Sequence, residues 1–544
     1  MDYFEIYEKW LKNADKETVD EIKSIDANEI EDRFYKDLEF GTGGLRGLMG
    51  AGSNRMNKYT VRRATQGLAD ELSEGEKGES SVVIAYDSRN NSKEFATEAY
   101  KVLCGNGIKA YLFDSLRPTP ELSFAVRYLN CKRGIVITAS HNPKEYNGYK
   151  VYGEDGGQIL PEKAERITEH INKLDMFSDI KIDNKPSIRF VGTEIDDAYI
   201  SAVKQQAILV DVPEGFKVIY TPLHGSGNKP VTRILKEIGV NNLFIVPEQE
   251  APDGNFPTVV SPNPENSEAF EIAIKYAIKQ KADLILGTDP DSDRIGVAVR
   301  TNKDGEYKTL TGNQTGILLC NYILQSLPKE KYENSRLAIV KTIVTTEMVR
   351  SIANDFGVET VDVLTGFKYI GGKIKEFEKR GDREFVFGLE ESYGYLKGTY
   401  ARDKDAVVAA MLITELAAEL WKQGKTLYDE LEELFSKYGY YRESLYSLSL
   451  EGIEGMKKIQ AIMDYFRSGS LNVGHTQKID YLHDETGLPK SDVIKFFLED
   501  AWFAVRPSGT EPKIKFYFGV CRKDEKDAEA ALEELKKKVL NYNC

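Results

Sequence analysis

The chain has 544 residues, of which 41% are hydrophobic and 29% charged, too long for one hydrophobic core and too apolar for disorder, so three or four globular domains are expected. A formal net charge of −14 argues against a protein built to coat nucleic acid or an anionic membrane, though local arginines and a metal could still hold a small anionic substrate. Five scattered cysteines without a C-x-x-C pair, no basic-then-apolar leader and no run of ~18 apolar residues predict a cytoplasmic protein with reduced thiols.

The opening ~35 residues read as a charged helical arm. Short β-branched runs then alternate with helical patterns. Ser81–Tyr86, Ala110–Phe113 and Gly134–Thr138 are predicted strands, with a helix over Ser92–Leu103. Phe216–Tyr220 and Asp283–Gly287 repeat the arrangement, and Ser335–Lys341 with Phe385–Phe387 repeat it a third time. Continuous apolar strands between helices imply burial on both faces and hence largely parallel sheets in three related α/β units. The last hundred residues differ. Helical stretches precede strands at Ala501–Val505 and Ile514–Phe518, and a final helix covers Arg522–Lys538, predicting a smaller α+β domain. Boundaries are placed at 1–205, 206–310, 311–440 and 441–544.

Four loops carry chemistry. In Thr138-Ala139-Ser140-His141-Asn142-Pro143 a serine stands where a buried strand gives way to a loop, at the carboxyl end where open α/β sheets bind ligands. His141 and Lys150 are near enough in sequence to position it or shuttle protons. Taken alone, Ser140 better fits a loop serine bonded to its own backbone. It is no hydrolase elbow, for the G-x-S-x-G frame is missing. Asp289-Pro290-Asp291-Ser292-Asp293-Arg294 places three carboxylates within five residues, a cluster readily ionised only beside a cation. Oxygen ligands of this kind suit magnesium or another hard cation. An EF-hand would need glycine at Arg294 and glutamate at Arg300. The alternative is a solvated acidic turn. Arg506-Pro507-Ser508-Gly509-Thr510 joins an arginine, hydroxyls and a glycine in a phosphate cradle or, read alone, an ordinary hairpin loop. The Gly-rich Gly41–Gly47 segment carries Arg46 but lacks the Walker lysine. Gly388–Tyr395 offers carboxylates and hydroxyls suited to sugar hydroxyls.

Together, in this order and spacing, the T-A-S-H-N-P, D-x-D-x-D-R, E-x-S-x-G and R-P-S-G-T loops resemble the α-D-phosphohexomutase superfamily from Gly41 to Lys515. The resemblance implies four domains around a central cleft. It implies a phosphoserine at Ser140, a metal site of Ser140, Asp289, Asp291 and Asp293, and His141, Lys150, Arg294 and Lys404 around the transferring phosphoryl. Substrate contacts would come from Thr42, Arg46, Thr365, Gly366, Lys368, Glu390, Ser392, Arg506, Ser508, Gly509 and Thr510. One Mg²⁺ per chain and a glucose 1,6-bisphosphate intermediate or activator are expected, with a small phosphosugar substrate and a monomer or homodimer. Leu389 before the glutamate, the Asp-Pro-Asp-Ser-Asp loop and the long N-terminal arm look most like the phosphoglucomutase, phosphopentomutase and glucose-1,6-bisphosphate synthase branch. Glu-Glu-Ser-Tyr-Gly favours glucose over mannose by analogy. Alternatives are a bisphosphate synthase, a phosphopentomutase or phosphomannomutase using the same serine, a sugar-phosphate sensor without turnover, and a phosphatase with a nucleophilic aspartate.

Overall fold

A computed structural model describes residues 2–41, 43–74, 80–209, 211–302, 305–334, 336–450, 452–469, 473–508 and 513–541. Thr42, Gly509 and Thr510 lie outside the described residues, as does Cys544. The other four cysteines are unpaired thiols.

The arm is three helices, Tyr3–Asn13, Lys16–Ser24 and Ala27–Phe34. Aspartates start the second and third: Asp15 accepts from the Thr18 amide and Asp26 from the Glu29 amide, satisfying amides that a helix start leaves unpaired. Trp10, Ile22 and Phe34 bury one apolar stripe against Ala51, Tyr59 and Met176, so the arm packs on the first α/β unit of its own chain.

That unit is a six-stranded sheet of β1 (Gly44–Leu48), β2 (Ser81–Tyr86), β3 (Lys109–Phe113), β4 (Arg133–Ile137), β5 (Tyr146–Gly153) and β6 (Phe190–Val191), in the order β1-β5-β4-β2-β3-β6. Side chains alternate between two cores. Val82, Ile84, Ile135 and Ile137 face the helices Lys58–Glu74, Ser92–Gly105 and Pro161–Lys173, while Val83, Ala85 and Val136 face Thr119–Tyr128. Burial on both faces explains why these strands read as unbroken apolar runs.

The second sheet holds β7 (Lys217–Thr221), β8 (Asn242–Ile245), β9 (Leu284–Thr288), β10 (Ile295–Arg300) and β11 (Tyr307–Thr309), in the order β11-β10-β9-β7-β8. The third holds β12 (Leu337–Thr342), β13 (Glu359–Val363), β14 (Glu384–Glu390) and β15 (Gly394–Lys397), in the order β13-β12-β14-β15. The helices Gly312–Ser326, Ala406–Lys422 and Leu427–Tyr438 bury Leu284 and Leu286 of one sheet and Ile339 of the other in one shared core. Seven of the twelve pairings in these three sheets are parallel; the antiparallel ones join sequence neighbours such as β9–β10 and β14–β15, except β1–β5, which adds the first strand to the sheet edge.

The C-terminal unit is antiparallel: β16 (Tyr440–Ser449), β17 (Gln477–Asp480), β18 (Ile494–Phe497), β19 (Ala501–Pro507) and β20 (Lys513–Arg522), in the order β16-β20-β19-β18-β17. Helices Gly452–Ser468 and Glu525–Leu540 cover one face. Trp502, Ala504 and Tyr517 on the other face pack on Ile343, Val344 and Leu364 of the third unit. Among the described residues no helix is long and apolar enough to cross a membrane.

Candidate active site

The three α/β units turn the carboxyl ends of β4, β9 and β14 toward one another. Ser140, three residues past β4, is buried with φ 53°, a left-handed conformation that costs a non-glycine residue about 1–2 kcal/mol. Its backbone amide donates to the Thr138 hydroxyl, Oγ1, at 2.8 Å. Its hydroxyl does something else: it donates to Asp289 Oδ2 of the second unit at 2.8 Å.

Asp289, Asp291 and Asp293 are all buried and bring carboxylate oxygens within 4.8 Å of one another. Asp291 Oδ2 accepts from Lys150 Nζ at 2.9 Å and from Thr119 Oγ1 at 2.9 Å. Lys404 Nζ lies 3.2 Å from Asp293 Oδ2, and Lys150 3.7 Å from the same oxygen. Asp291 Oδ1 and Asp293 Oδ1 are buried without a hydrogen-bond partner, an unusual state for carboxylate oxygens and a fit for a bound hard cation. The electrostatics match. Burial, then Asp291 and Asp293, push the Asp289 carboxyl far above the usual range, whereas at Asp291 Lys150 overcomes burial and holds the group ionised. Burial would strip the Lys404 proton, but Asp293, Asp403 and Glu390 keep it charged.

Lys150 and Arg46 stand on adjacent antiparallel strands, β5 and β1, with Gly44 opposite Lys150 and Gly148 opposite Arg46. Gly44, at φ 151°, approaches so closely that a Cβ would meet the Tyr149 carbonyl at 1.9 Å, so glycine is required for this pairing. Arg46 Nη1 donates to Asn142 Oδ1 at 3.2 Å in the serine loop. His141 is half-buried beside Arg294 and Arg46, with its Nδ1 out of solvent, and desolvation followed by those charges keeps its ring neutral. Arg294 is held by Glu265, and its amide donates to Asp289 Oδ1 at 3.0 Å.

From the third unit, Glu390 Oε1 accepts the Gly366 amide at 2.8 Å and ties the Glu390–Ser392 turn to the Thr365–Lys368 loop. Burial and the neighbouring Glu391 raise the Glu390 carboxyl to about 7. The Thr365 hydroxyl is buried without a hydrogen-bond partner. Lys368 and Lys515 sit close enough to Arg506 of the C-terminal unit for its charge to lower both ammonium groups, burial being the larger cause. This makes a second cationic pole distinct from the aspartates. At its rim the Ser508 amide donates to the Lys513 carbonyl at 2.7 Å.

Sequence reasoning missed Arg89, Thr119 and Glu265, which hold the serine loop, Asp291 and Arg294. The segments Asp87-Ser88-Arg89 and Pro262-Asn263-Pro264-Glu265 gave a signal, polar residues crowded beside strand ends and prolines, without saying what they touch.

Profiles of phosphoglucomutase/phosphomannomutase match in four successive stretches: alpha/beta/alpha domain I over residues 37–177, domain II over 197–304, domain III over 311–438 and the C-terminal domain over 453–537. The chain belongs to the phosphoglucomutase/phosphomannomutase family. It is 38% identical over 534 residues to a Staphylococcus saprophyticus protein named phosphoglucomutase, across 94% of this chain and 96% of that one. It is 39% identical over 532 residues to a Staphylococcus aureus protein of the same name, across 94% of each. A solved structure of a putative phosphomannomutase from Thermus thermophilus shares the fold, with a TM-score of 0.69 at 23% identity over 93% of this chain and 100% of that one.

Proposed function

We propose that the protein interconverts glucose 1-phosphate and glucose 6-phosphate in the cytoplasm, through phosphorylated Ser140 and a glucose 1,6-bisphosphate intermediate, with one Mg²⁺ per chain. The observation that carries this reading is the Ser140 hydroxyl held 2.8 Å from Asp289 within a buried triad of aspartates. The relatives named phosphoglucomutase support the choice of glucose.

Asp289, Asp291 and Asp293, with an oxygen on Ser140, would hold the metal. Bound there, Mg²⁺ neutralises charge on the phosphoryl oxygens, whose transition state is loose and anionic. In the forward half-reaction the bond from phosphorus to Ser140 Oγ breaks as a bond to a sugar oxygen forms. The proton leaving the sugar hydroxyl ends on Ser140 Oγ. Lys150, bonded to Asp291, is placed to relay it, and neutral His141 adds a polar contact without charge. Arg294 and Arg46 stabilise the equatorial oxygens. Glu390 and Ser392 bind sugar hydroxyls, and Lys368, Arg506 and Ser508, with Gly509 and Thr510, hold the phosphate that is not reacting. The bisphosphate then turns over, and its other phosphate returns to Ser140. That second pole therefore accepts two substrate orientations, a task suited to a loop on a separate domain.

The test is conversion of glucose 1-phosphate to glucose 6-phosphate with Mg²⁺ and a trace of glucose 1,6-bisphosphate, beside a Ser140→Ala control. Rapid conversion by the wild type alone is expected, with mannose and ribose phosphates slower. No conversion by phosphoserine-primed, metal-loaded protein would overturn the reading.

A further inference from the structure

We propose that Arg89 is a positioning residue that sets the geometry of the phosphoryl-carrying serine without touching substrate; the proposal rests on the assignment of Ser140 above. Arg89 follows β2 and is 3% exposed. Its guanidinium faces the back of the serine loop and gathers four main-chain carbonyls. Nη2 donates to Ser140 O at 2.5 Å and also to Asn142 O, while Nη1 donates to Pro143 O at 2.9 Å and Tyr146 O at 3.1 Å. A planar fork of donors can bridge that many acceptors at once, which a lysine ammonium cannot. These bonds close the loop from Ser140 through Tyr146 and over-determine the serine's left-handed backbone, the state in which the hydroxyl reaches Asp289.

Arg89 is itself held from two units. Asp87 Oδ1 accepts the Arg89 amide at 2.9 Å and the Ser92 hydroxyl at 2.7 Å, and Asp87 Oδ2 lies 3.4 Å from Arg89 Nε. On the other side, the ring of Phe256 from the second unit lies 5.0 Å from the guanidinium carbon. The same second-unit segment reaches the serine loop directly, where the Ser261 hydroxyl donates to His141 O at 2.7 Å. Arg89 thus couples the approach of the aspartate-bearing unit to the aim of the serine. With both terminal nitrogens directed at loop carbonyls and Nε turned to Asp87, it acts through geometry.

The test compares Arg89→Lys and Arg89→Met with wild type by crystal structure, and by kcat per active site, the sites being counted as phosphoserine released on substrate. Expected are a displaced serine loop, Ser140 outside the left-handed region, kcat per site lower by on the order of 10²-fold and KM within about threefold of wild type. A purely structural role would lower the number of active sites and leave kcat per site unchanged. A folded variant with Ser140 still left-handed, or with kcat per site within about threefold of wild type, overturns the proposal. Should Arg89→Met not fold, because Asp87 is left buried and unpaired, Arg89→Lys decides alone. A wild type inert toward every sugar phosphate would count against the assigned reaction instead, and the Arg89→Lys crystal structure would still decide the positioning role.

Discussion

The hydroxyl of Ser140 and the Oδ2 of Asp289 come from different sheets and meet at 2.8 Å, with the serine in a left-handed backbone and the aspartate fully buried. Neither position suits stability alone. The backbone is strained, and the carboxylate sits beside two more. Such costs concentrate where chemistry needs them.

Removing the hydroxyl separates function from strain. Ser140→Ala and Ser140→Gly should both lose kcat by on the order of 10⁴-fold or more, since each lacks the nucleophile. They should differ in stability. At φ 53° the glycine variant has no Cβ penalty and should exceed the alanine variant by about 1 kcal/mol in denaturant unfolding. Retained turnover in either would move the nucleophile elsewhere, to Asp289 first.

The aspartate triad predicts a metal-dependent inversion of stability. Burial and its neighbours raise the Asp289 carboxyl, so without metal its contribution is present below the ordinary aspartate range and lost as pH rises through the elevated folded value. Metal-free Asp289→Asn should therefore melt at or above wild type near neutral pH. Added Mg²⁺ should raise the wild-type midpoint by linkage and leave the variant's nearly unchanged. Thermal melts with chelator and with Mg²⁺ check this; equal Mg²⁺ shifts in both proteins would place the cation elsewhere.

The strands were readable because burial on both faces leaves unbroken apolar runs, as in Val82–Tyr86 and Leu284–Leu286. The antiparallel additions were less so, since the turn from β9 to β10 is the acidic loop itself and looks like a site before it looks like a hairpin. The aspartates stood out by residue type beside a strand end, whereas Ser140 and Glu390 stood out only in company with the other loops. Arg89 did not. A buried arginine binding four carbonyls owes its role to backbone atoms that carry no sequence signature, and Glu265 owes its role to an arginine 29 residues away.

Lys368 supplies a pH dependence. Burial, aided by Arg506, lowers its ammonium group to about 8, so the cation proposed to hold the distal phosphate is lost as pH rises past that value. The profile of kcat/KM, which reports the free enzyme, should fall on its alkaline side near pH 8. Lys368→Arg, permanently charged, should lose that limb and keep measurable activity. An unchanged alkaline limb would assign it to another group.

The second cationic pole exists only while the C-terminal unit stays docked, and Glu347 joins the two units. Its Oε1 lies 3.0 Å from Lys341 and 3.3 Å from Lys495 on β18, and its Oε2 lies 3.1 Å from Arg350. Lys341 and Lys495 are almost wholly buried, so Glu347→Gln leaves cationic groups undercompensated. Breaking one side of a buried pair costs about 3–5 kcal/mol, and Asp362, 3.1 Å from Lys341, keeps the loss toward the lower end. Burial opposes ionisation of Glu347, but Lys341, Lys495 and Arg350 prevail and hold it at about 2, below the ordinary 4.5. Its stabilisation is therefore present above pH 4.5 and lost as pH falls toward 2. Hydrogen exchange over residues 440–541 should show faster opening in Glu347→Gln at neutral pH, together with a raised KM for glucose 1-phosphate, because Arg506 then meets Lys368 less often. Faster opening with KM unchanged would mean that the distal phosphate is held without the C-terminal unit.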